Sequence, residues 1–159
     1  MRSGSAGKLL GFTAVMCVAA VGAALVSQYM FDMQPCPWCV LQRVIFLAIA
    51  IVCVIGLLLR GALGRLVTGS LALVLALCGV AAALWQHFQA AASESCNLTL
   101  ADKIVSGVLH LDSAWPDVFS ARASCADAAV NLLGVPYAMW SALVFAVCAA
   151  TLIRALKLA

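Results

Sequence analysis

Apolar residues fall in four long runs along this chain, and polar residues are largely confined to the segments between them. The runs are about Leu9–Tyr29, Val40–Leu59, Leu66–Trp85 and Val135–Ile153. A helix needs roughly 20 mainly apolar residues to cross a bilayer, so each run predicts one membrane span. Only the second carries a charge, Arg43, near its start. The predicted fold class is all-α: a transmembrane four-helix bundle. A shorter pattern lies in the last connection, where Leu100, Ile104, Val108 and Leu111 recur at helical spacing with Asp102, Lys103 and His110 between them. This predicts a short amphipathic helix. It either lies on the membrane surface, with Trp115 at headgroup level, or packs on the ends of the bundle.

Composition supports lipid as the solvent. Hydrophobic residues make up 66% of the 159 positions and charged residues 9%, against about 45–50% and about 25% in a soluble domain. No Gly/Ser/Pro-rich linker divides the chain, so 1–159 reads as a single membrane domain.

Charge then supplies orientation. Arg2, Lys8, Arg60, Arg65, Arg154 and Lys157 flank one set of span ends, whereas Asp32, Glu94, Asp102, Asp112, Asp117 and Asp127 all fall on the other side. Basic residues mark the cytoplasmic face. Both termini are therefore expected in the cytoplasm, with outer loops at about 28–39 and 86–134. Arg2 and Lys8 before an apolar run also suggest a signal peptide. That run exceeds the usual 7–15 apolar residues of a signal, and it is read as a retained span. The net charge of +3 comes from basic residues scattered among helix ends, which gives no nucleic-acid footprint. Asn97-Leu98-Thr99 matches a glycosylation sequon, a short pattern that is frequent by chance.

The cysteines sharpen the picture. Cys17, Cys53, Cys78 and Cys148 lie inside apolar spans, where cysteine usually acts as a small apolar filler. Cys36, Cys39, Cys96 and Cys125 lie on the outer side, where an oxidising compartment permits disulfides. Four cysteines allow three pairings. Cys36-Pro37-Trp38-Cys39 can close a small, easily reopened disulfide ring. Cys39 stands where the second span begins, and the unpaired backbone N–H groups of a helix start favour a thiolate. Arg43 follows one helical turn later on the same face, so its charge can stabilise a thiolate or a bound anion. It can also snorkel to headgroups. Cys96 and Cys125 bracket the amphipathic segment as either a structural staple or a second redox pair. A zinc site recruiting His87 or His110 is a further alternative, but Cys96 and Cys125 lack close metal-type spacing.

Cys-Pro-Trp-Cys-Val-Leu-Gln-Arg (36–43) at an outer helix start, two further outer cysteines and four spans resemble the disulfide-bond formation protein B (DsbB) family of bacterial inner membranes. Val135-Pro136-Tyr137-Ala138-Met139-Trp140-Ser141 is similar to that family's entry to its last helix. The resemblance covers nearly the whole chain. It implies a thiol oxidase that reoxidises a periplasmic thioredoxin-like protein of DsbA type and passes the electrons to a membrane quinone, ubiquinone or menaquinone. It also implies that Cys36 and Cys39 are the pair beside the quinone, with Cys39 nearest. Cys96 and Cys125 would be the pair that meets the partner, and Cys96 would form the mixed disulfide. Arg43 matches the family's quinone-site arginine. Gln86 and His87 both lie where the family places polar side chains beside the quinone, and spacing does not choose between them. The chemistry is physically sensible, because a partner poised near about −120 mV is not easily oxidised by thiol exchange alone. Two other readings stand beside it. A vitamin K epoxide reductase-like enzyme would use the quinone in the opposite direction, but its CxxC lies late in the bundle. A non-enzymatic four-span scaffold would carry structural disulfides.

Overall fold

The computed structural model describes residues 2–59, 61–90 and 100–158. Among them, four helices are long and apolar enough to cross a membrane. These are α1 (Arg2–Met30), α2 (Pro37–Leu58), α3 (Ala62–Trp85) and α7 (Tyr137–Leu158). They extend beyond the predicted runs at several ends, because the charged and polar residues that flank an apolar span still complete its outer helical turns. In the bundle α2 packs on α1 and α3, and α7 packs on α3 and α1, so the four helices close a ring.

The core of the ring is built from small and aromatic side chains. Phe46 of α2 and Phe145 of α7 stack with ring centroids 3.8 Å apart and planes 3° from parallel. Gly79 of α3 lies against the Phe145 ring, and a Cβ there would overlap it. This close approach is the usual logic of membrane packing, where small residues let helices meet without a hydrophobic drive. The hydroxyls of Thr13 and Thr151 hydrogen-bond at 2.9 Å across α1 and α7. Cys17, Cys53 and Cys148 are fully buried in the same core, as their apolar surroundings predict, while Cys78 lies exposed on the outside of α3.

The connections at the expected outer end form a cap. After α3 the backbone widens into a π turn, Gln86–Ala90. The amphipathic segment consists of α4 (Leu100–Asp102), a π turn at Lys103–Val108, α5 (Leu111–Ala114) and α6 (Pro116–Phe119). Ala101, Val105 and Phe119 are buried against Trp38, Val40 and Leu41 of α2 and Ala82 of α3. The face that packs on the bundle is only partly the predicted one: Ile104 and Leu111 pack against the same cluster. Leu100 and Val108 point outward, as does Trp115. One side of the segment therefore covers the bundle end, and the other presents apolar residues outward. A two-residue hairpin was also not foreseen in the all-α reading. It pairs β1 (Asn131–Leu132) with β2 (Val135–Pro136) in antiparallel register. Gly134 in the turn has φ +80°, a backbone region that glycine enters without steric cost.

Candidate functional site

The start of α2 is built by the Cys36–Cys39 segment itself. Cys36 is the N-cap, with extended backbone, and its sulfur accepts from the Cys39 backbone N–H at 3.4 Å. Pro37 follows at the first helical position, where its missing N–H costs nothing. This geometry folds the two sulfurs to 2.9 Å from each other.

The outer cap then brings in Cys125. The backbone N–H groups of Arg122 and Ala123 donate to the Pro35 carbonyl at 2.9 and 3.3 Å. Ser124 and Asp127 close a tight turn around Cys125, with Ser124 Oγ donating to Asp127 Oδ2 at 2.6 Å and accepting from the Asp127 N–H at 3.1 Å. The Cys125 sulfur thereby reaches Cys36 within hydrogen-bonding range. The hydrogen bond received from Cys36 pulls the Cys125 thiol below the ordinary range, against the opposing effect of burial. Cys36 is pushed upward, chiefly by donating to Cys125, with its bond to Cys39 and its burial adding to the shift. Cys36 therefore stands between two other sulfurs. Cys96 lies outside the described residues, and so does the Asn97-Leu98-Thr99 sequon.

Arg43 is 5% exposed and does not snorkel to the lipid surface. Its Nη1 donates to Gln28 Oε1 at 2.9 Å and to the Val118 carbonyl at 2.8 Å. Gln28 in turn donates to the Asp117 carbonyl at 3.3 Å, and the Tyr29 hydroxyl donates to the same oxygen at 3.0 Å. One guanidinium thus ties α1, α2 and the α6 cap together. These partners absorb donors that would otherwise be costly to bury.

Gln86 and His87 separate clearly. Gln86 is buried and donates from Nε2 to Cys39 Sγ at 3.1 Å. His87 is half-buried, with its ring edge-on to Phe88 at 4.8 Å. Gln86 and His87 both border a small crevice of about 20 Å³ beside Cys125 and Tyr137. Gln42, to which the motif at 36–43 assigns no role, donates from Nε2 to Gln86 Oε1 at 2.6 Å. Its signal was a glutamine inside an apolar span, one turn from Cys39. Gln28 was also missed, and only its place at the end of an apolar run set it apart.

Cys39, Gln42, Arg43 and Phe46 line a cavity of about 680 Å³ enclosed by α1, α2, α7 and the cap. Tyr137 and Trp140 of α7 form part of its opposite wall. Its size and its mostly apolar lining, with a few polar groups, are those of a small-molecule site. The site therefore joins three sulfurs in sequence to a cavity with a cation on its wall.

Comparison with known proteins fits this arrangement. The family model for the disulfide bond formation protein DsbB matches residues 7–155. The chain is 34% identical over 141 residues to disulfide bond formation protein B of Pseudomonas syringae pv. tomato, covering 87% of this chain and 82% of that one. It is 32% identical over 133 residues to the protein of the same name from Dechloromonas aromatica, covering 82% and 79%. It is 35% identical over 147 residues to that of Chromohalobacter salexigens, covering 89% and 83%. No solved structure matches the chain. With four helices able to span a membrane and a family match over nearly its whole length, the chain belongs to the DsbB family of disulfide-forming membrane oxidoreductases.

Proposed function

We propose that this protein is a thiol:quinone oxidoreductase of a bacterial inner membrane. In this reading both termini are cytoplasmic, and a periplasmic thioredoxin-fold oxidase of DsbA type is the protein substrate. The observation that carries the reading is the position of Cys39. It lines the 680 Å³ cavity, while its neighbour Cys36 is in reach of Cys125 from the outer cap.

The cavity suits a quinone headgroup. It offers aromatic faces at Phe46, Tyr137 and Trp140, and polar groups at Gln42 and Arg43. When bound there, a quinone supplies an acceptor for two electrons and two protons. The protein's own steps are thiol exchanges. A partner thiolate attacks Cys96 of a Cys96–Cys125 disulfide, forming a mixed disulfide and releasing the Cys125 thiolate. Cys125 then attacks Cys36 of a Cys36–Cys39 disulfide, which forms Cys36–Cys125 and releases the Cys39 thiolate on the cavity wall. Cys39 is the electron donor at the cavity. Arg43, one turn away, opposes the negative charge there, as a guanidinium that stays protonated can. The partner's second thiolate attacks its own sulfur in the mixed disulfide, so the oxidised partner leaves and the Cys96 thiolate is released. Cys96 then attacks Cys125 of the Cys36–Cys125 disulfide, which restores Cys96–Cys125 and frees Cys36. Cys36 and Cys39 together then hold the two electrons that a quinone would take as the Cys36–Cys39 bond re-forms.

The test is to mix purified protein with reduced DsbA-type partner and quinone, and to follow quinone absorbance. Catalytic loss of quinone absorbance that needs both protein and partner is the expected result. Exchange with the partner but no quinone reduction would overturn the reading.

A further inference from the structure

Two primary amides lie buried together beside Cys39. Gln42 is 3% exposed and Gln86 4% exposed. Buried amides without partners are costly, and these two satisfy each other in a fixed order. Gln42 Nε2 donates to Gln86 Oε1 at 2.6 Å, and Gln86 Nε2 donates to Cys39 Sγ at 3.1 Å. The order matters because an amide has one accepting and one donating end. With its oxygen engaged by Gln42, Gln86 turns its N–H toward the sulfur.

The backbone holds the same arrangement. Gln86 sits at the point where α3 gives way to the π turn, and its N–H is bonded to the Ala82 and Ala83 carbonyls. π turns inside helices are often found at functional sites. Gln86 lies outside the large cavity, whereas Gln42 and Cys39 line it. The sulfur thus receives a neutral donor from the α3 side and leaves its cavity side open.

We infer that Gln42 is a positioning residue for the thiol chemistry: it holds the Gln86 amide in the orientation that donates to the Cys39 sulfur. A hydrogen bond to a charged acceptor is stronger than one to a neutral acceptor. The Gln86 donor therefore favours the anionic sulfur over the thiol or the disulfide. Gln42 bonds to Gln86 rather than to the Cys39 sulfur and acts on that sulfur through the Gln86 amide. The inference rests on the reading of Cys39 as the thiolate at the cavity. It adds a specific task for a side chain that a purely structural account would treat as a staple between α2 and α3.

A double-mutant cycle separates these accounts. In fully reduced protein without quinone, the rate of Cys39 alkylation by iodoacetamide at pH 7 is followed by peptide mapping, with Cys125 as internal reference. Gln86→Met removes the donor and should slow Cys39 about tenfold, the scale of one hydrogen bond to a charged group. Gln42→Met should slow it several-fold in the native background and not at all in the Gln86→Met background. Gln42→Asn, too short to reach Gln86, should behave like Gln42→Met and serves if that variant does not insert. Equal slowing by the Gln42 variants in both backgrounds, or no slowing in either, overturns the inference. The assay needs no quinone, so the two readings fail separately. Absent quinone reduction with a non-additive cycle defeats only the proposed function, and quinone reduction with an additive cycle defeats only the role of Gln42.

Discussion

The sulfur of Cys125 lies close enough to that of Cys36 to shift its titration, although Cys125 belongs to the cap and Cys36 caps a membrane helix. The Pro35 carbonyl, accepting from Arg122 and Ala123, holds the two segments in register. A disulfide between Cys36 and Cys125 is then a local event that needs little backbone movement. The double variant Cys39→Ser/Cys96→Ser leaves these two as the remaining outer thiols. Mild oxidation should join them, seen as a Cys36–Cys125 linked peptide in non-reducing mapping. If both thiols stay open to alkylation after oxidation, the juxtaposition is wrong.

The same contact orders the two thiols by reactivity. Cys125 receives the hydrogen bond and is shifted down, while Cys36 gives it and is shifted up. A lowered thiol keeps its anionic form as pH falls below the ordinary thiol range, and a raised one loses it sooner. In reduced protein, alkylation of Cys125 should persist to lower pH than alkylation of Cys36. Cys36→Ala should move the Cys125 profile to higher pH, because the donor is gone. An unchanged profile in that variant would detach Cys125 from Cys36.

Much of this was legible in the chain, because a membrane span writes its length directly into hydropathy. The four spans, the helix start at Cys36–Cys39 and the burial of Cys17, Cys53 and Cys148 all follow from local pattern. The partners of Arg43 were not legible. Gln28 and the Val118 carbonyl come from distant segments, and no spacing rule links them to α2. The cap was legible only in part: Ile104 and Leu111 of the apolar stripe pack on the bundle end, whereas Leu100 and Val108 face outward and Ala101 and Val105 take the innermost positions. That Gln86 rather than His87 meets the Cys39 sulfur also needed the structure, and neither of them lines the large cavity. Adjacent residues on a helix point in different directions, and only Gln86 bonds to Cys39.

The buried cysteines of the bundle should be replaceable. The Cys17 and Cys148 sulfurs are 3.8 Å apart inside the core that also contains Leu10, Cys53 and Leu152. Replacing any of Cys17, Cys53 or Cys148 by Ala removes one buried heavy atom and should cost about 1 kcal/mol by the scale of small core truncations. Cys78→Ala should cost less, since that side chain is exposed on α3. Thermal unfolding in detergent measures the cost, and partner oxidation should continue at near-native rate. Loss of turnover in a stable Cys17→Ala protein would assign the core thiols a chemical role.

Orientation has its own check. In the proposed orientation, with the segregated basic residues at the cytoplasmic ends of the helices, Cys125 lies on the outer side. A membrane-impermeant thiol reagent added to intact spheroplasts should label reduced Cys125. In inverted vesicles the same reagent should leave it unlabelled. The reverse pattern would overturn the assignment of both termini to the cytoplasm.

Arg43 combines a structural and an electrostatic position, and its variants should separate the two. Its side chain bonds to Gln28 and to the Val118 carbonyl, so it pins the cap to α1, and it lines the cavity with Cys39. Arg43→Ala removes both effects. It leaves the Gln28 and Val118 oxygens without their donor, and buried hydrogen bonds to a charged group are worth about 1.5–3 kcal/mol. A lowered thermal midpoint is therefore expected, together with a raised apparent KM for quinone or slower quinone reduction. Arg43→Lys keeps the charge but replaces the planar fork with a point donor. It should retain more quinone activity than Arg43→Ala, while the cap stays less firmly held than in the native protein. Protease sensitivity of the 111–119 segment reads the structural effect, and quinone kinetics read the electrostatic one. Native quinone kinetics in folded Arg43→Ala would reduce Arg43 to a clamp on the cap.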